Sequence, residues 1–258
     1  GTIQTIPHVT NAIKEHIKSL STDSESDVVV VEVGGTVGDI EGQPFLEAIR
    51  EMEHDVGRDN VYYVHVTFLP HIGSTDELKT KPTQHSVKEL RAMGIQPDVI
   101  ICRSDYEVTE GESNKISLFC GVERKAVIPL ITVSNIYEIP IILDDLDLGN
   151  LIVDGLKLPK TISDLVDWKN MISRMDLVED AMPIAIVGKY ADLHDAYISV
   201  KEALSHAALY HKCEVNVVWI PSETLEENGA DESLSEISGI VVPGGFGPRG
   251  VEGMIMAC

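Results

Sequence analysis

The strongest constraint on the fold is a recurring pattern. Short runs of β-branched and aliphatic residues end at glycine or at polar turn residues, with helical stretches between them. Asp27 to Val33 reads Asp-Val-Val-Val-Val-Glu-Val and runs into Gly34-Gly35, the pattern of a buried parallel strand closed by a turn. Val61 to Leu69 is a second β-rich run, and Asp98 to Cys102 and Ala126 to Val133 are two more. Ser86 to Met93 has helical composition, Ile116 to Cys120 is read as part of a helix, and Ile139 to Leu143 is a short apolar run. Strands alternating with helices predict βαβ units around a parallel sheet.

The pattern breaks and restarts. Asp144 to Gly149 is polar and turn-rich, and Ile162 to Met175, with Trp168, has the look of an amphipathic helix. From Pro183 a second α/β pattern begins: Ile184 to Gly188 as a strand, Asp195 to Leu209 as a helix, then Val215 to Ile220 and Ile237 to Val242 as strands, the last running into Pro243-Gly244-Gly245. This divides the chain into 1–142, a connection over 143–182, and 183–258. The last part is short for a flavodoxin-like domain and is expected to be incomplete. The chain opens on Gly1 rather than methionine, so its natural start is expected upstream.

Charge narrows the function. The 258 residues carry 20 basic against 42 acidic side chains, a net charge of -22. A phosphate backbone needs a basic face, so general nucleic-acid binding is not expected. Any anionic ligand has to be held by a local basic pocket against the field of the whole molecule. The four cysteines form no C-x-x-C pair, which removes the common zinc and redox motifs and leaves reduced, mostly buried thiols of a cytoplasmic protein. No apolar run reaches the ~18 residues of a membrane span, and no signal peptide is evident.

Against that background Lys79-Thr80-Lys81-Pro82-Thr83-Gln84 is unusual. Two lysines two residues apart, a proline that restricts the backbone into a preformed loop, and a row of hydrogen-bonding side chains suit a polyanion such as a triphosphate; a solvated pair of surface lysines has the same spacing. Glu32 stands near the end of the first run, where a carboxylate suits Mg²⁺ bound together with phosphates and an unrelated strand-end acid reads the same. Gly34, Gly35 and Gly38 allow tight turns, followed by Asp39 and Glu41, whose carboxylates can accept from ribose hydroxyls or a base amino group. No G-x-x-x-x-G-K-[ST] sequence is present, so no Walker A loop is expected. Arg103 and Lys115 follow a strand and a polar loop, placed to reach the same cleft or to be plain surface charges. Val242 to Gly247 reads as a strand and a glycine-rich turn able to present N–H groups to an oxyanion. Arg249 and Glu252, beyond it, are ligand contacts or solvated charges.

Taken together these strings resemble the CTP synthase family. The residues that carry the resemblance are Gln4, Ile6 to Ile13, Glu32 to Glu41, Pro44 to Arg50, Lys79 to Leu90, Gly94 to Asp105, Lys115, Leu118 to Cys120, Gly188-Lys189-Tyr190, Asp195 to Leu204 and Val242 to Ile255. The resemblance implies a P-loop-like, dethiobiotin-synthetase-like α/β amidoligase domain with a parallel sheet, followed by the start of a flavodoxin-like class I glutamine amidotransferase domain. It implies ATP-dependent amination of UTP to CTP with ammonia from glutamine, activation by GTP, feedback inhibition by CTP, Mg²⁺ as the metal, and a homotetramer, with filament formation left open. Glu32 would be a Mg²⁺ ligand. Gln4, Asp39, Ile40, Glu41, Lys79, Thr80, Lys81, Pro82, Thr83, Gln84 and Lys115 would bind UTP or CTP, with Gln4 and Asp39 to Glu41 serving a neighbouring subunit. Arg103, Ile131, Thr132 and Val133 would face ATP, although the family more often has an acid where Thr132 stands. Gly245 would contact glutamine, and Arg249 and Glu252 would lie in the GTP region.

The family's amino-terminal P-loop and its glutaminase cysteine, histidine and glutamate have no counterpart in the 258 residues. The chain is therefore expected to be an internal segment, inactive alone. Two other readings compete: a non-catalytic pyrimidine-nucleotide-binding or assembly paralogue, and a related amidoligase of the cobyrinic-acid type. The string Lys79 to Val87 argues against the second.

Overall fold

The structure, a computed structural model, describes residues 1–24, 26–175 and 181–258. It divides into two compact units, Gly1–Ser163 and Asp164–Cys258. The 143–182 connection is thus split between them, and its residues 176–180 lie outside the described residues.

In chain order the first unit contains helices α1 (Thr10–Ser24) and α2 (Gln43–Val56), strand β1 (Val64–Phe68), strands β2 (His71–Ile72) and β3 (Glu77–Leu78), helix α3 (Lys81–Ala92), strand β4 (Val99–Ser104), helix α4 (Glu110–Cys120), strand β5 (Val127–Ile131), and helices α5 (Ile139–Asp145) and α6 (Leu148–Gly155). The sheet order is β1-β4-β5. Both pairings are parallel, with Val64 opposite Val99 and Ile100 opposite Val127. The central β4 begins Val-Ile-Ile-Cys, all buried, because helices cover both faces there. Ile100 and Cys102 pack with Val87 of α3 and Ile116 of α4. Val99 and Ile101 face the other way, onto Leu148 of α6. Burial pushes the Cys102 thiol up to about 12 and the Cys120 thiol to about 11, as inert core thiols behave.

Local signals set several helix ends. Thr109 and Glu112 form a reciprocal capping box at the start of α4: the Glu112 N–H donates to Thr109 Oγ1 at 3.3 Å and the Thr109 N–H to Glu112 Oε2 at 2.7 Å. Gly121 ends the same helix at φ +67, a left-handed position that glycine takes without a Cβ clash. Helices α1 and α2 are joined by ions: Lys14 lies 2.8 Å from Glu51 and 3.2 Å from Asp55, and Lys18 lies 2.7 Å from Asp55.

Two sequence expectations need correction, and one unassigned run is resolved. Residues 27–33 form no strand. They run outside every ladder, with Val30 90% exposed. A β-branched run becomes a strand only where a sheet edge supplies partners, and β1 is hydrogen-bonded to β4 alone. The Lys79–Ser86 segment is not all loop, since α3 begins at Lys81, five residues before the expected Ser86. Pro82 sits in its first turn, where its missing N–H breaks no helical hydrogen bond. The apolar run 139–143 is helical, started by Pro140 after the Asn135 side chain accepts from the Tyr137 N–H at 3.0 Å.

The second unit contains helix α7 (Val166–Met175), strand β6 (Ala181–Gly188), helix α8 (Ile198–His211), strand β7 (Glu214–Pro221), short helices α9 (Ser222–Asn228) and α10 (Ala230–Ser233), strand β8 (Gly239–Val241) and helix α11 (Val251–Met256). Its sheet is also parallel, in the order β7-β6-β8. Ala185 and Val187 of β6 pack with Ile220, Leu225 and Ala257. Two glycines permit close contacts. A Cβ at Gly188 would meet the Tyr197 ring, and one at Gly253 would run into the Ser222 carbonyl, where α11 lies against α9. Among the described residues no helix is long and apolar enough to cross a membrane.

Two outcomes follow from this packing. Gly253→Ala should destabilise the second unit by ~1–3 kcal/mol through overpacking, measured by urea unfolding on the fluorescence of Trp168 and Trp219, whereas Gly244→Ala, with open space around it, should be neutral. His65, partly buried in β1 with Nε2 2.9 Å from Ser86 Oγ, has its pKa lowered by burial. Below its ordinary value of 6.5 the unfolded chain binds the extra proton and the folded one resists it. Stability should therefore fall as pH drops through that value. Carboxylates such as Asp55, held low by hydrogen bonds from Lys18 and Lys14, add their loss only at more acidic pH. Thermal unfolding by circular dichroism between pH 5 and 7 checks this, and His65→Gln should flatten the slope.

Candidate functional site

A parallel sheet puts the carboxyl ends of its strands on one edge, and the helices that follow begin near it. In the first unit that edge is laced by backbone hydrogen bonds. The Leu69 N–H donates to the Arg103 carbonyl at 2.8 Å, and the Thr132 N–H to the Ser104 carbonyl at 2.7 Å. The β2–β3 hairpin folds back so that the Lys79 N–H donates to the Pro70 carbonyl at 2.9 Å. This delivers Lys79-Thr80-Lys81 beside the exit of β1.

Within the lysine segment the side chains divide by role. Thr80 is 3% exposed and Thr83 1%. The Thr83 hydroxyl donates to Thr67 Oγ1 of β1 at 3.0 Å, and Gln84 Nε2 to Thr80 Oγ1 at 3.1 Å. Both threonines therefore hold the start of α3 against the sheet, while Lys81 and Pro82 face outward. Lys79 is paired with Glu77. The Lys81 ammonium stands over the Phe119 ring, 5.7 Å from its centroid. Lys115 is exposed on α4 one turn before Phe119, on the same side of that helix. Phe119 is a feature that sequence reading missed; only its place in the Leu118 to Cys120 string hinted at it.

Arg103 and the 131–133 segment lie at the ends of adjacent strands, with Arg103 opposite Leu130 and Ser104 opposite Ile131. Arg103 and Thr132 are exposed. The Thr132 hydroxyl donates to Asp105 Oδ1 at 2.7 Å, so a carboxylate stands next to this threonine. Tyr106 stacks on His71 with centroids 4.0 Å apart, tying the exits of β1 and β4 together.

The 32–41 segment is not brought to this edge by any hydrogen bond or ion pair among the described residues. Val33 and Val37 pack with Leu46, Leu90 and Ile95, at the far end of α3. Gly35 and Gly38 adopt φ +88 and +104, and the Thr36 N–H donates to Asp39 Oδ2 at 3.2 Å. Ile40 and Glu41 are exposed in a single 3₁₀ turn leading into α2. Gln4 is exposed near the chain start, its N–H donating to His8 Nδ1 at 2.9 Å. Glu32 is exposed, and a Cβ at position 34 would sit 3.4 Å from its Oε1. Among the described residues no group of three or more His, Cys, Asp or Glu side chains is placed to hold a metal. A lone carboxylate does fit Mg²⁺ held largely by phosphate and water, which needs only one or two protein oxygens.

In the second unit the glycine-rich turn follows β8. Lys189, 5% exposed, donates from Nζ to the carbonyls of Phe246, at 3.2 Å, and Gly247. Its aliphatic stem lies 3.0 Å from where a Cβ on Gly245 would be, so position 245 has to be small. The Gly-Lys-Tyr string thus pins the turn, a role the sequence did not disclose. Arg249 is engaged within the chain: Nη1 donates to Glu223 Oε1 at 2.7 Å, Nη2 to the Lys189 carbonyl at 2.6 Å, and its guanidinium lies over Tyr190. Glu223 is held below the usual carboxylate range by its own backbone N–H, then by Arg249 and Ser222. Glu252 is exposed in the first turn of α11. A cavity of about 500 Å³ in this unit is lined by Ala181, Pro183 and Asn216 near the amino ends of the strands, away from this turn.

Comparison with known proteins gives two family matches. Residues 1–158 match the family described as CTP synthase N-terminus, and residues 192–258 match glutamine amidotransferase class-I. The chain is 57% identical over 257 residues to a CTP synthase of Dehalococcoides mccartyi, covering all of this chain and 47% of that protein. It is 56% identical to the CTP synthases of Roseiflexus sp. (strain RS-1), over 257 residues, and Chloroflexus aggregans, over 255, covering 46% of each. The chain spans about half the length of the curated relatives it matches.

A phosphate approaching Lys79 would have to compete with the Glu77 carboxylate paired to it. Glu77→Gln should tighten binding of inorganic triphosphate by up to ~5-fold, the upper end for an exposed ion pair. Titration calorimetry checks this, and weaker binding would count against a contact between Lys79 and the anion.

Proposed function

The chain belongs to the CTP synthase family, and from that premise we propose that it carries the pyrimidine-nucleotide part of an enzyme that converts UTP to CTP with ATP and glutamine. Residues 1–142 are the synthetase region, 143–182 the connection, and 183–258 the leading part of the glutaminase region, working in the cytoplasm as a homotetramer. The observation that carries this reading is the delivery of Lys79 and Lys81 to the carboxyl edge of a parallel sheet, at the start of α3, in a chain of net charge -22. Local positive charge at a helix start is what a triphosphate requires there.

On this reading Lys79, Lys81 and Lys115 neutralise the phosphates of UTP, or of CTP as feedback inhibitor, with Gln84 as an uncharged donor. Thr80 and Thr83 act from beneath, locking the first turn of α3. Gln4, Asp39, Ile40 and Glu41 are assigned to the nucleotide of a neighbouring subunit. No hydrogen bond or ion pair among the described residues joins them to Lys79–Gln84 within one chain, which agrees with a shared site. Arg103 and Ile131 to Val133, at the ends of β4 and β5, take ATP. Thr132 contributes through its backbone carbonyl, since its hydroxyl is committed to Asp105 and its N–H to the Ser104 carbonyl. Phosphoryl transfer from ATP to O4 of UTP makes that oxygen a leaving group, and ammonia displaces it as phosphate. The protein's share of such a transfer is positioning and charge stabilisation. Glu32 would hold Mg²⁺, which when bound offsets negative charge on phosphates; among the described residues no hydrogen bond or ion pair ties its segment to the β4–β5 edge within the chain.

In the glutaminase region the 243–247 turn offers backbone N–H groups to the substrate, with Gly245 against glutamine and Arg249 and Glu252 in the zone that answers to GTP. For Arg249 this role requires exchange of its present partners, Glu223 and the Lys189 carbonyl.

The test is the UTP dependence of CTP formation by the intact enzyme. Lys79→Ala with Lys81→Ala should raise the UTP requirement at least ~10-fold, as loss of charge-assisted contacts does. An unchanged UTP requirement would sink the assignment. CTP binding without turnover by the intact wild-type protein would instead favour a non-catalytic paralogue.

A further inference from the structure

Helix α3 carries a stripe of basic side chains that the reading above leaves mostly unused. Lys81, His85, Lys88 and Arg91 stand at i, i+4, i+7 and i+10, so they share one face of the helix. The buried Thr83, Val87 and Leu90 occupy the opposite face. Like charges at these spacings repel and weaken a helix. The chain has 42 acidic residues to relieve them, yet among the described residues Lys81, Lys88 and Arg91 enter no ion pair.

A basic face that only solvates a helix is convex. This one is concave. A cavity of about 260 Å³ is lined by Lys81, Gln84, His85, Lys88 and Arg91 of α3 and by Phe119 of α4. The exposed Phe119 ring forms one wall and carries the Lys81 ammonium above it. At the other end Arg91 rests against Gly121, where a Cβ would lie 3.8 Å from Nη1. The volume falls just under the range of pockets that enclose a whole small molecule, which suits a chain of phosphates better than a nucleoside. Glu89, the acid of this stretch of α3, is not part of the lining.

We propose that this cleft is an anion site for a polyphosphate chain, with Lys81, Lys88 and Arg91 as its cations and Gln84 as an uncharged donor. It extends the phosphate-binding surface along α3, past the Lys79–Gln84 segment. It rests on the nucleotide reading through Lys81 and Gln84, which the two sites share. Lys88 and Arg91 are the new assignments.

Titration calorimetry of the 258-residue chain with inorganic triphosphate tests it. Both new positions are exposed, and far-ultraviolet circular dichroism verifies that the variants fold. Lys88→Ala with Arg91→Ala should weaken triphosphate binding about tenfold, as loss of charged hydrogen bonds does, and should flatten its dependence on salt. Lys79→Ala separates the two readings. If Lys79→Ala weakens binding and the Lys88/Arg91 variant binds within twofold of wild type, the cleft is refuted while the nucleotide reading stands. If the Lys88/Arg91 variant alone loses affinity, the cleft stands and the Lys79 assignment falls. No binding of triphosphate by the wild-type chain overturns the proposal outright.

Discussion

The first unit depends on one strand. β4 is hydrogen-bonded on both sides and buried on both faces, and its carboxyl end passes its last carbonyls to the segments that leave the neighbouring strands. Arg103 receives Leu69 and Ser104 receives Thr132. Parallel pairing is what makes this consequential. Strands running the same way send all their exits to one edge, so chain segments about sixty residues apart emerge side by side. A slip of one residue in β4 would turn Ile100 and Cys102 away from α3 and α4, and with them the floor under the lysine segment.

On that floor the division of labour is between hydroxyls and ammonium groups. Thr83 joins Thr67 beneath the helix, and Thr80 is held by Gln84, so the buried polar groups are satisfied within the protein. The lysines are left outside, one paired with Glu77 and one over Phe119. A pocket for an anion in so acidic a molecule needs this separation. The scaffold must be neutral and rigid, and the charge must sit where it is not already cancelled. The stripe continuing along α3 obeys the same logic, and its like charges are tolerated because the other face of the helix is anchored by Thr83, Val87 and Leu90.

The second unit solves a different problem, holding a glycine-rich turn that has few side chains to anchor it. Lys189 does so from the end of β6 by donating to two of its carbonyls, and Arg249 closes the arrangement by binding back to the Lys189 carbonyl. Buried ammonium groups normally seek carboxylates. Here backbone carbonyls satisfy the charge, so removing Lys189 would free the turn that it shapes. Tyr197 performs a smaller version of the same task, its hydroxyl accepting from the Tyr190 N–H at 3.2 Å while its ring fills the space beside Gly188.

Much of this was legible in the residues. The apolar runs at 61–69, 98–102, 126–133, 184–188, 215–220 and 237–242 contain the observed strands of the two parallel sheets in full or in large part, because burial on both faces leaves a continuous apolar signature that needs no knowledge of neighbours. The family strings around Lys79 and Glu32 were equally plain. Context decided the rest. The valines of 27–33 have the composition of a strand and no ladder to join, since hydrogen-bonding partners lie elsewhere in the chain and leave no mark on the run itself. Pro82 suggested a loop, but a helix accepts proline in its first turn, and the contact of Thr83 with Thr67 shows that the sheet beneath supports one there. The sequence by itself determined the six strands of the parallel sheets, the charge balance and the motifs, all properties of contiguous residues. Only the tertiary structure decided that Thr80 and Thr83 turn inward, that Lys189 grips a turn nearly sixty residues away, and that Lys88 and Arg91 share a cleft with Phe119, because each depends on which surfaces meet after the chain has folded.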